Sequence, residues 1–289
     1  MNIAVLLTCF NRKEKTLQAL DKLTQAYNTV AEKVSVKIYL TDDGSTDGTG
    51  DAVKEKFPNA VILKGNGNLF WAGGMRNSWN KAINSDNYDG YLLLNDDTNV
   101  YEDVFDQLMM SNQHSIKKYG KGGIYIGSTR DSENGLLTYG GAKLTHKFWF
   151  KYNFLEPNGN FQECELGNAN IMFVAADVIK QIGILSKGYI HGVADYDYTL
   201  KAVNKNIPVF ITPNYCGNCK NDHKEIYTDF STKKLKERIE LLKSPLGLDI
   251  KSNLNLMKRH FPFRVPFVIL SALLKVILPR VYVKNFRSR

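Results

Sequence analysis

Asn95-Asp96-Asp97-Thr98 stands directly behind the apolar run Tyr91-Leu92-Leu93-Leu94. Neighbouring carboxylates repel each other, and a strand end beside a core desolvates both. A divalent cation relieves that cost. Hard oxygen ligands suit Mg²⁺ or Mn²⁺, ions that are commonly held together with substrate phosphates. A helix N-cap and a turn are the plainer reading of the same residues. A second acidic group lies in His191-Gly192-Val193-Ala194-Asp195-Tyr196-Asp197-Tyr198. A carboxylate there can take a proton from a hydroxyl, or cap the helical stretch Tyr198-Thr199-Leu200-Lys201-Ala202. Cys216-Gly217-Asn218-Cys219 precedes His223. C-x-x-C and a histidine read as a zinc site without an evident fourth ligand, or as an ordinary polar loop.

The elements that must position these groups alternate. Ile3–Leu7 is a continuous apolar run and predicts a buried strand. Arg12–Tyr27 carries Leu17, Leu20, Leu23 and Tyr27 at helical spacing. Val34–Leu40 alternates as a second strand and ends in the turn-rich Thr41–Gly48, ahead of a helix near Gly50–Phe57. Ala60–Leu63 predicts a third strand, then the loop Gly65-Asn66-Gly67-Asn68 leads to Trp71-Ala72-Gly73-Gly74 and a helix over Met75–Asn84. Strand and helix in turn predict an α/β fold, a mostly parallel sheet flanked by helices. Ligands of such sheets bind outside the carboxyl ends of the strands. Thr8–Arg12, Asp42–Asp47 and Asn95–Thr98 all fall at such ends, and that convergence favours a site over a simple turn. No G-x-G-x-x-G follows the first strand and there is no Walker lysine loop. Dinucleotide oxidoreductases and P-loop NTPases therefore lack their phosphate cradle. Gly120–Gly167 is less regular and predicts a smaller sheet. Its aromatic stretch Lys147–Tyr152, like Trp71, can stack on a flat ligand or simply pack. Gly167–Ala175 and Asp177–Leu185 predict a strand and a helix.

The chain of 289 residues is long enough to bury a full core. Its net charge of +9 is concentrated at one end. From Ile250 onward there is no Asp or Glu, and nine Lys and Arg account for the whole excess. Residues 1–249 are formally neutral, which argues against a nucleic-acid surface over the fold. Four cysteines make no dense disulfide framework, and the N-terminus does not read as a signal peptide, so a cytoplasmic setting is expected. Phe261–Val283 is rich in Phe, Leu, Ile and Val and flanked by cations. Its longest uncharged stretch, Val265–Leu274, has ten residues, too few to span a bilayer. Residues 250–289 are expected to lie on a membrane as a basic amphipathic tail, each nearby cation contributing about 1 kcal/mol on anionic lipid. Docking of the tail on the domain, or a homodimer contact, is the alternative.

Thr8-Cys9-Phe10-Asn11-Arg12, Asp42-Asp43-Gly44-Ser45-Thr46-Asp47-Gly48-Thr49, Gly65–Gly74 and Asn95–Thr98 come in an order that resembles family 2 glycosyltransferases, over roughly residues 1–220. The Gly65–Gly74 block resembles that of relatives using dTDP-rhamnose or UDP-hexoses. The family resemblance implies a GT-A fold over residues 1–249, with a nucleotide-sugar-binding half (1–100) and an acceptor half (101–249). It also implies a nucleotide-sugar donor, a Mn²⁺ or Mg²⁺ cofactor and inversion at the anomeric carbon. Thr8, Phe10, Asn11, Arg12, Asp42, Asp43, Asn66, Trp71, Gly73, Arg76 and Asp96 would then hold the nucleotide. Asp97, Asn95 and His223 would hold the metal, His223 because some relatives use a histidine past the base and neutral imidazole suits Mn²⁺. Asn95 stands where the family has an acidic residue. Ala194 likewise replaces a glutamate of the family's second acidic block, so Asp195 falls on the catalytic base. Asn168, Asn170 and Asp197 would meet the acceptor. Together with the tail, these readings lead to the expectation of a lipid-linked or polysaccharide acceptor at the inner membrane face. A nucleotidyltransferase, or an inert nucleotide-sugar-binding protein, are the rival readings.

Overall fold

The computed structural model describes residues 1–220 and 230–286. β1 (Asn2–Cys9) extends the first apolar run, and every residue of it after Asn2 is buried. A strand covered on both faces is apolar throughout, which is why it reads as a run and not an alternation. α1 (Lys13–Asn28) crosses back with Ala19, Leu20, Leu23 and Ala26 inward. β2 (Ser35–Asp42), α2 (Thr49–Lys56) and β3 (Val61–Lys64) repeat the unit outward. α3 (Phe70–Ile83) then returns the chain to the far side of β1, where β4 (Gly90–Leu94) pairs in parallel. The order β3-β2-β1-β4 thus reverses between β1 and β4. Such a reversal opens a crevice at the carboxyl ends, and Thr8–Arg12 and Asn95–Thr98 both emerge into it.

The second half folds back on this sheet. β5 (Asn99–Val100), α4 (Val104–Tyr119), β6 (Ile124–Arg130) and β7 (Leu137–Tyr139) are followed by β8 (Gly141–His146), β9 (Lys151–Phe154), β10 (Gln162–Glu163) and β11 (Leu166–Gly167). Then come β12 (Ile171–Ala175), α5 (Ala176–Ile182), α6 (Ala194–Asn204) and β13 (Val209–Asn218). β12 runs antiparallel to β4, with Ile171 opposite Leu94. That register sets the residues just before β12 beside those just after β4, and the Asn95 N–H donates to the Asn170 carbonyl at 3.1 Å. The main sheet has ten strands; β11, β8 and β9 form the smaller antiparallel sheet.

α3 begins five residues before the helix expected from Met75. The Trp71–Gly74 stretch reads as loop because it holds two glycines and no local capping side chain. The cap is supplied from a distance: Asp43 Oδ2 accepts from the N–H groups of Leu69 and Phe70, both at 2.9 Å, and Oδ1 from Gly67 at 2.9 Å. Gly74 is required by proximity. A Cβ there would lie 2.0 Å from Thr8 Oγ1. Gly74→Ala must displace β1 from α3 and is expected to lower stability by about 1–3 kcal/mol, read from the midpoint of urea unfolding.

Beyond residue 249 the chain continues as helices, the first of them packed on the domain. After α7 (Leu235–Lys243), α8 (Ile250–His260) is capped by Asp249, which accepts from Ser252 N–H at 3.1 Å. Leu256, Met257 and Phe261 are buried in one cluster with Ala72, Leu166, Tyr189, Ala194 and Leu200. α8 is therefore part of the folded domain. A 3₁₀ turn at Pro262–Arg264 leads to α9 (Val265–Ile277) and α10 (Pro279–Phe286).

Candidate active site

A cavity of about 560 Å³ opens at the β1/β4 crevice. One wall comes from the strand-end loops: Thr8, Phe10, Arg12, Asp43, Gly67, Phe70, Trp71, Asn95, Asp96 and Asp97. The facing wall comes from the β11–β12 connection and the start of α6: Asn168, Ala169, Asn170, His191, Val193, Asp195 and Tyr196. The two expected carboxylate groups therefore face one space from separate elements.

Arg12 organises the first wall. Its Nη1 lies 2.6 Å from Asp97 Oδ2 and 3.3 Å from Asp96 Oδ1. Burial works against the charged guanidinium, but the two carboxylates outweigh it and raise the Arg12 pKa. Burial is also the largest influence on Asp96 and pushes it up to about 7, against the pull of Arg12. Asp96 Oδ2 is buried and has no hydrogen-bond partner among the described residues. Asn95 Oδ1 accepts from Trp71 Nε1 at 2.8 Å, so one of its lone pairs is already used. The tetrad forms a turn, closed by Thr98 N–H to the Asn95 carbonyl at 3.2 Å. It does not cap α4, whose N-cap is Asp103.

An orphaned carboxylate oxygen beside a second carboxylate fits a hard divalent cation. Among the described residues no three His, Cys, Asp or Glu side chains converge as a metal cluster. A cation held here would take its remaining ligands from substrate oxygens, as Mg²⁺ and Mn²⁺ do with phosphates. His223 lies outside the described residues. Cys219 lines the cavity, its Sγ 3.8 Å from Asp97 Oδ1, whereas Cys216 is enclosed beside Thr212. Burial pushes both thiols up to about 12. All four cysteines are free and buried.

On the facing wall, Asp195 sits in the first turn of α6. Oδ1 accepts from Tyr196 N–H at 2.9 Å and Oδ2 from Ala169 N–H at 3.3 Å. Burial dominates and raises its pKa to about 6 in spite of those bonds. It is not the helix cap: Val193 holds that place and gives no side-chain bond. Val193 has φ +55°, a left-handed conformation unfavourable for a β-branched residue. Such strain concentrates where backbone must aim a functional group, and Asp195 is two residues on.

Several expected site residues do not line the cavity. Asp42 is spent on the turn behind it, accepting from Ser45 N–H at 2.8 Å and Gly50 N–H at 3.1 Å. Asn11 has φ +51° and its Oδ1 accepts from Thr46 N–H at 2.7 Å, bracing two loops together. Asn66 folds onto Asn68 N–H at 3.0 Å. Gly73 is buried within α3 against Leu69. Arg76 donates to the carbonyls of Ser186 and Tyr189 at 3.1 and 2.9 Å, tethering the segment ahead of α6. Asp197 is fully buried behind α6, because two residues along a helix turn a side chain by about 200° from Asp195. It accepts from Ser186 Oγ, Tyr189 Oη, Arg259 Nη1 and His260 Nε2 between 2.6 and 3.1 Å. Conversely, His191 and Tyr196 line the cavity without having been expected as site residues. His191 and Tyr196 stand in the same short acidic block as Asp195, which is the signal that would have found them.

Fold and cavity define a GT-A glycosyltransferase. Residues 4–166, more than half of the chain, match glycosyl transferase family 2, and the chain belongs to that family. No curated protein matches it in sequence. Among solved structures it is similar to S. aureus TarS 1–349, at 12% identity over 100% of this chain and 76% of the other, with a TM-score of 0.53. The same protein in complex with UDP gives 14%, 97%, 82% and 0.55. The mannosyltransferase PcManGT from Pyrobaculum calidifontis, in complex with GDP-Man and Mn²⁺, gives 12%, 98%, 78% and 0.53.

Proposed function

We propose that the protein is an inverting, metal-dependent glycosyltransferase that moves a sugar from a UDP- or dTDP-sugar to a hydroxyl of a lipid-linked or polysaccharide acceptor. The observation that carries this reading is that Asp97 and Asp195 line one cavity from separate elements. An inverting transfer is a single displacement. The acceptor oxygen bonds to the anomeric carbon as the bond from that carbon to the diphosphate oxygen breaks, and the leaving diphosphate keeps the electron pair. The acceptor proton goes to Asp195, which must be ionised to receive it. Base and leaving group then sit on opposite faces of the sugar, as residues from separate walls require. Asp97 and Asp96 would hold the Mn²⁺ or Mg²⁺, which would neutralise charge growing on the diphosphate. Arg12 already carries positive charge into that corner and is placed to pair with a phosphate when one displaces the carboxylates. Asn168 and Asn170 would bond acceptor hydroxyls.

UDP and GDP-mannose bound to the two structural neighbours support a nucleotide-sugar donor here, and the Mn²⁺ with one of them supports the metal. The tail supports work at the inner face of a membrane, as a peripheral protein in the assembly of cell-surface polysaccharide. A thermal-shift screen of UDP-, dTDP- and GDP-sugars with Mn²⁺ tests the donor without needing the acceptor. A donor at about 100 times its Kd stabilises the protein by about 2.7 kcal/mol. No rise in Tm with any nucleotide sugar, with or without metal, would reject the reading.

A further inference from the structure

We infer that the turn at Phe148–Trp149 and the outer face of α9 form one continuous lipid-inserting surface that seats the catalytic domain on an anionic membrane. It deepens the membrane reading of the tail and rests on it, but brings in a part of the acceptor-side sheet that lies more than a hundred residues earlier in sequence.

α9 is apolar on the wrong side for a soluble helix. Val265 and Val268 pack against the domain and Ala272 is buried. Phe267, Leu270, Leu273 and Ile277 are all exposed, Ile277 by 64%. Their spacing places them on one helical face. The β8–β9 turn extends that face. Phe148 stacks on Phe263 at 5.1 Å, and Trp149 meets Phe267 edge-on at 6.1 Å. Arg264 Nη1 donates to the Phe148 carbonyl at 2.9 Å, locking the turn to the start of α9. Trp149 is 51% exposed. Contiguous apolar surface of this kind marks an interaction site. No helix among the described residues is long and apolar enough to cross a membrane. A helix of 13 residues lies in an interface instead of crossing it.

Charge selects the occupant. Residues 143–155 and 250–289 contain no Asp or Glu, while Lys143, Lys147, Lys151, Arg264 and Lys275 lie within the same two stretches of chain. A second copy of this chain would set those cations against their like, whereas anionic headgroups complement them. The orientation has a consequence for the site. β8 pairs with β11, which leads directly into Asn168 and Asn170, and Tyr152 of β9 meets Tyr196 edge-on at 6.0 Å. The inserting turn and the acceptor wall belong to one small sheet.

Tryptophan fluorescence tests this on the full chain. Trp79 is fully buried and Trp71 is bonded to Asn95, so Trp149 is the indole placed to meet lipid, and Trp149→Phe supplies the reference spectrum. With phosphatidylglycerol vesicles the Trp149 emission should shift blue and be quenched by brominated acyl chains. Neutral phosphatidylcholine vesicles should bind weakly. Replacing Phe148 and Trp149 by Ser should cut partition onto anionic vesicles about tenfold and leave any nucleotide-sugar thermal shift unchanged. Vesicle binding without quenching of Trp149 would overturn the inference while sparing the tail. Equal binding to neutral vesicles, or a dimer that shields Trp149 without lipid, would overturn it as well. A missing nucleotide-sugar shift counts against the transferase reading alone.

Discussion

Asp195→Asn should reduce sugar transfer by about 10²- to 10⁴-fold, the usual contribution of a general base, while the donor-induced thermal shift persists. The substitution keeps the shape of the side chain and removes its capacity to accept a proton. The wild-type protein should show a matching pH dependence. Burial holds the Asp195 pKa up at about 6, so turnover rises as pH passes upward through that value. In Asp195→Asn this acidic limb should be absent from whatever activity remains. The stability effect has the opposite sign. An unfolded aspartate ionises near 3.8, so between that pH and about 6 the folded state retains a proton that the unfolded chain has lost. Stability linked to this group is therefore full at low pH and lost as pH rises through the folded pKa. At pH 8 the enzyme bears the full cost of an ionised carboxylate in an enclosed wall, and Asp195→Asn should raise the Tm there and not at pH 3. Equal turnover of the two proteins at pH 8 would remove Asp195 from the base role.

Cutting the chain after Asp249 should unfold the catalytic domain. α8, which this cut removes, packs into the domain. Asp197 is fully buried. Burial alone would push its carboxyl up, yet His260, Ser186, Arg259 and Tyr189 outweigh that and hold it below the ordinary carboxylate value. Its contribution to stability is therefore present above the unfolded pKa and lost as pH falls below it. Removing α8 deletes Arg259 and His260 and leaves a charge enclosed without its partners. Breaking a buried pair from one side costs about 3–5 kcal/mol. Leu256, Met257 and Phe261 leave with it. Against a total stability of about 5–15 kcal/mol, the remainder should be aggregated or molten. Cutting after Arg264 instead retains α8 and should give a folded domain that binds donor and no longer binds vesicles. A protein ending at residue 249 with an unchanged urea midpoint would show that α8 is dispensable.

What the sequence revealed and what it hid divides along locality. β1, β3 and β4 were legible as apolar runs and β2 as an alternation, each bounded by turns and each a local signal. The site loops were legible because a parallel sheet collects them at one end. Roles that depend on partners far along the chain were not. Asp42 and Asp43 are adjacent and chemically identical, yet one closes its own turn and the other caps α3 from about 26 residues away. Nothing in their neighbourhood tells them apart. Asp195 and Asp197 look like a pair on paper, but helical rotation sends one to the cavity and the other to α8. Arg76 was assigned to the nucleotide from its place in a motif; its actual carbonyl partners, at Ser186 and Tyr189, depend on how the second half of the chain folds back. The start of α3 was missed for the same reason, since its cap arrives from another loop.

The four buried thiols give the molecule an internal clock. Only the thiolate reacts with alkylating reagents, and burial keeps all four protonated. Labelling must therefore wait for the structure to open. Cys164 and Cys216 are enclosed away from the cavity, so their labelling follows opening of the sheet itself. Cys9 and Cys219 form part of the cavity wall, and their labelling follows opening of the crevice. A ligand that slows the second pair and not the first has bound between β1 and β4, and the ratio of the two rates measures how far that crevice opens independently of the rest of the protein.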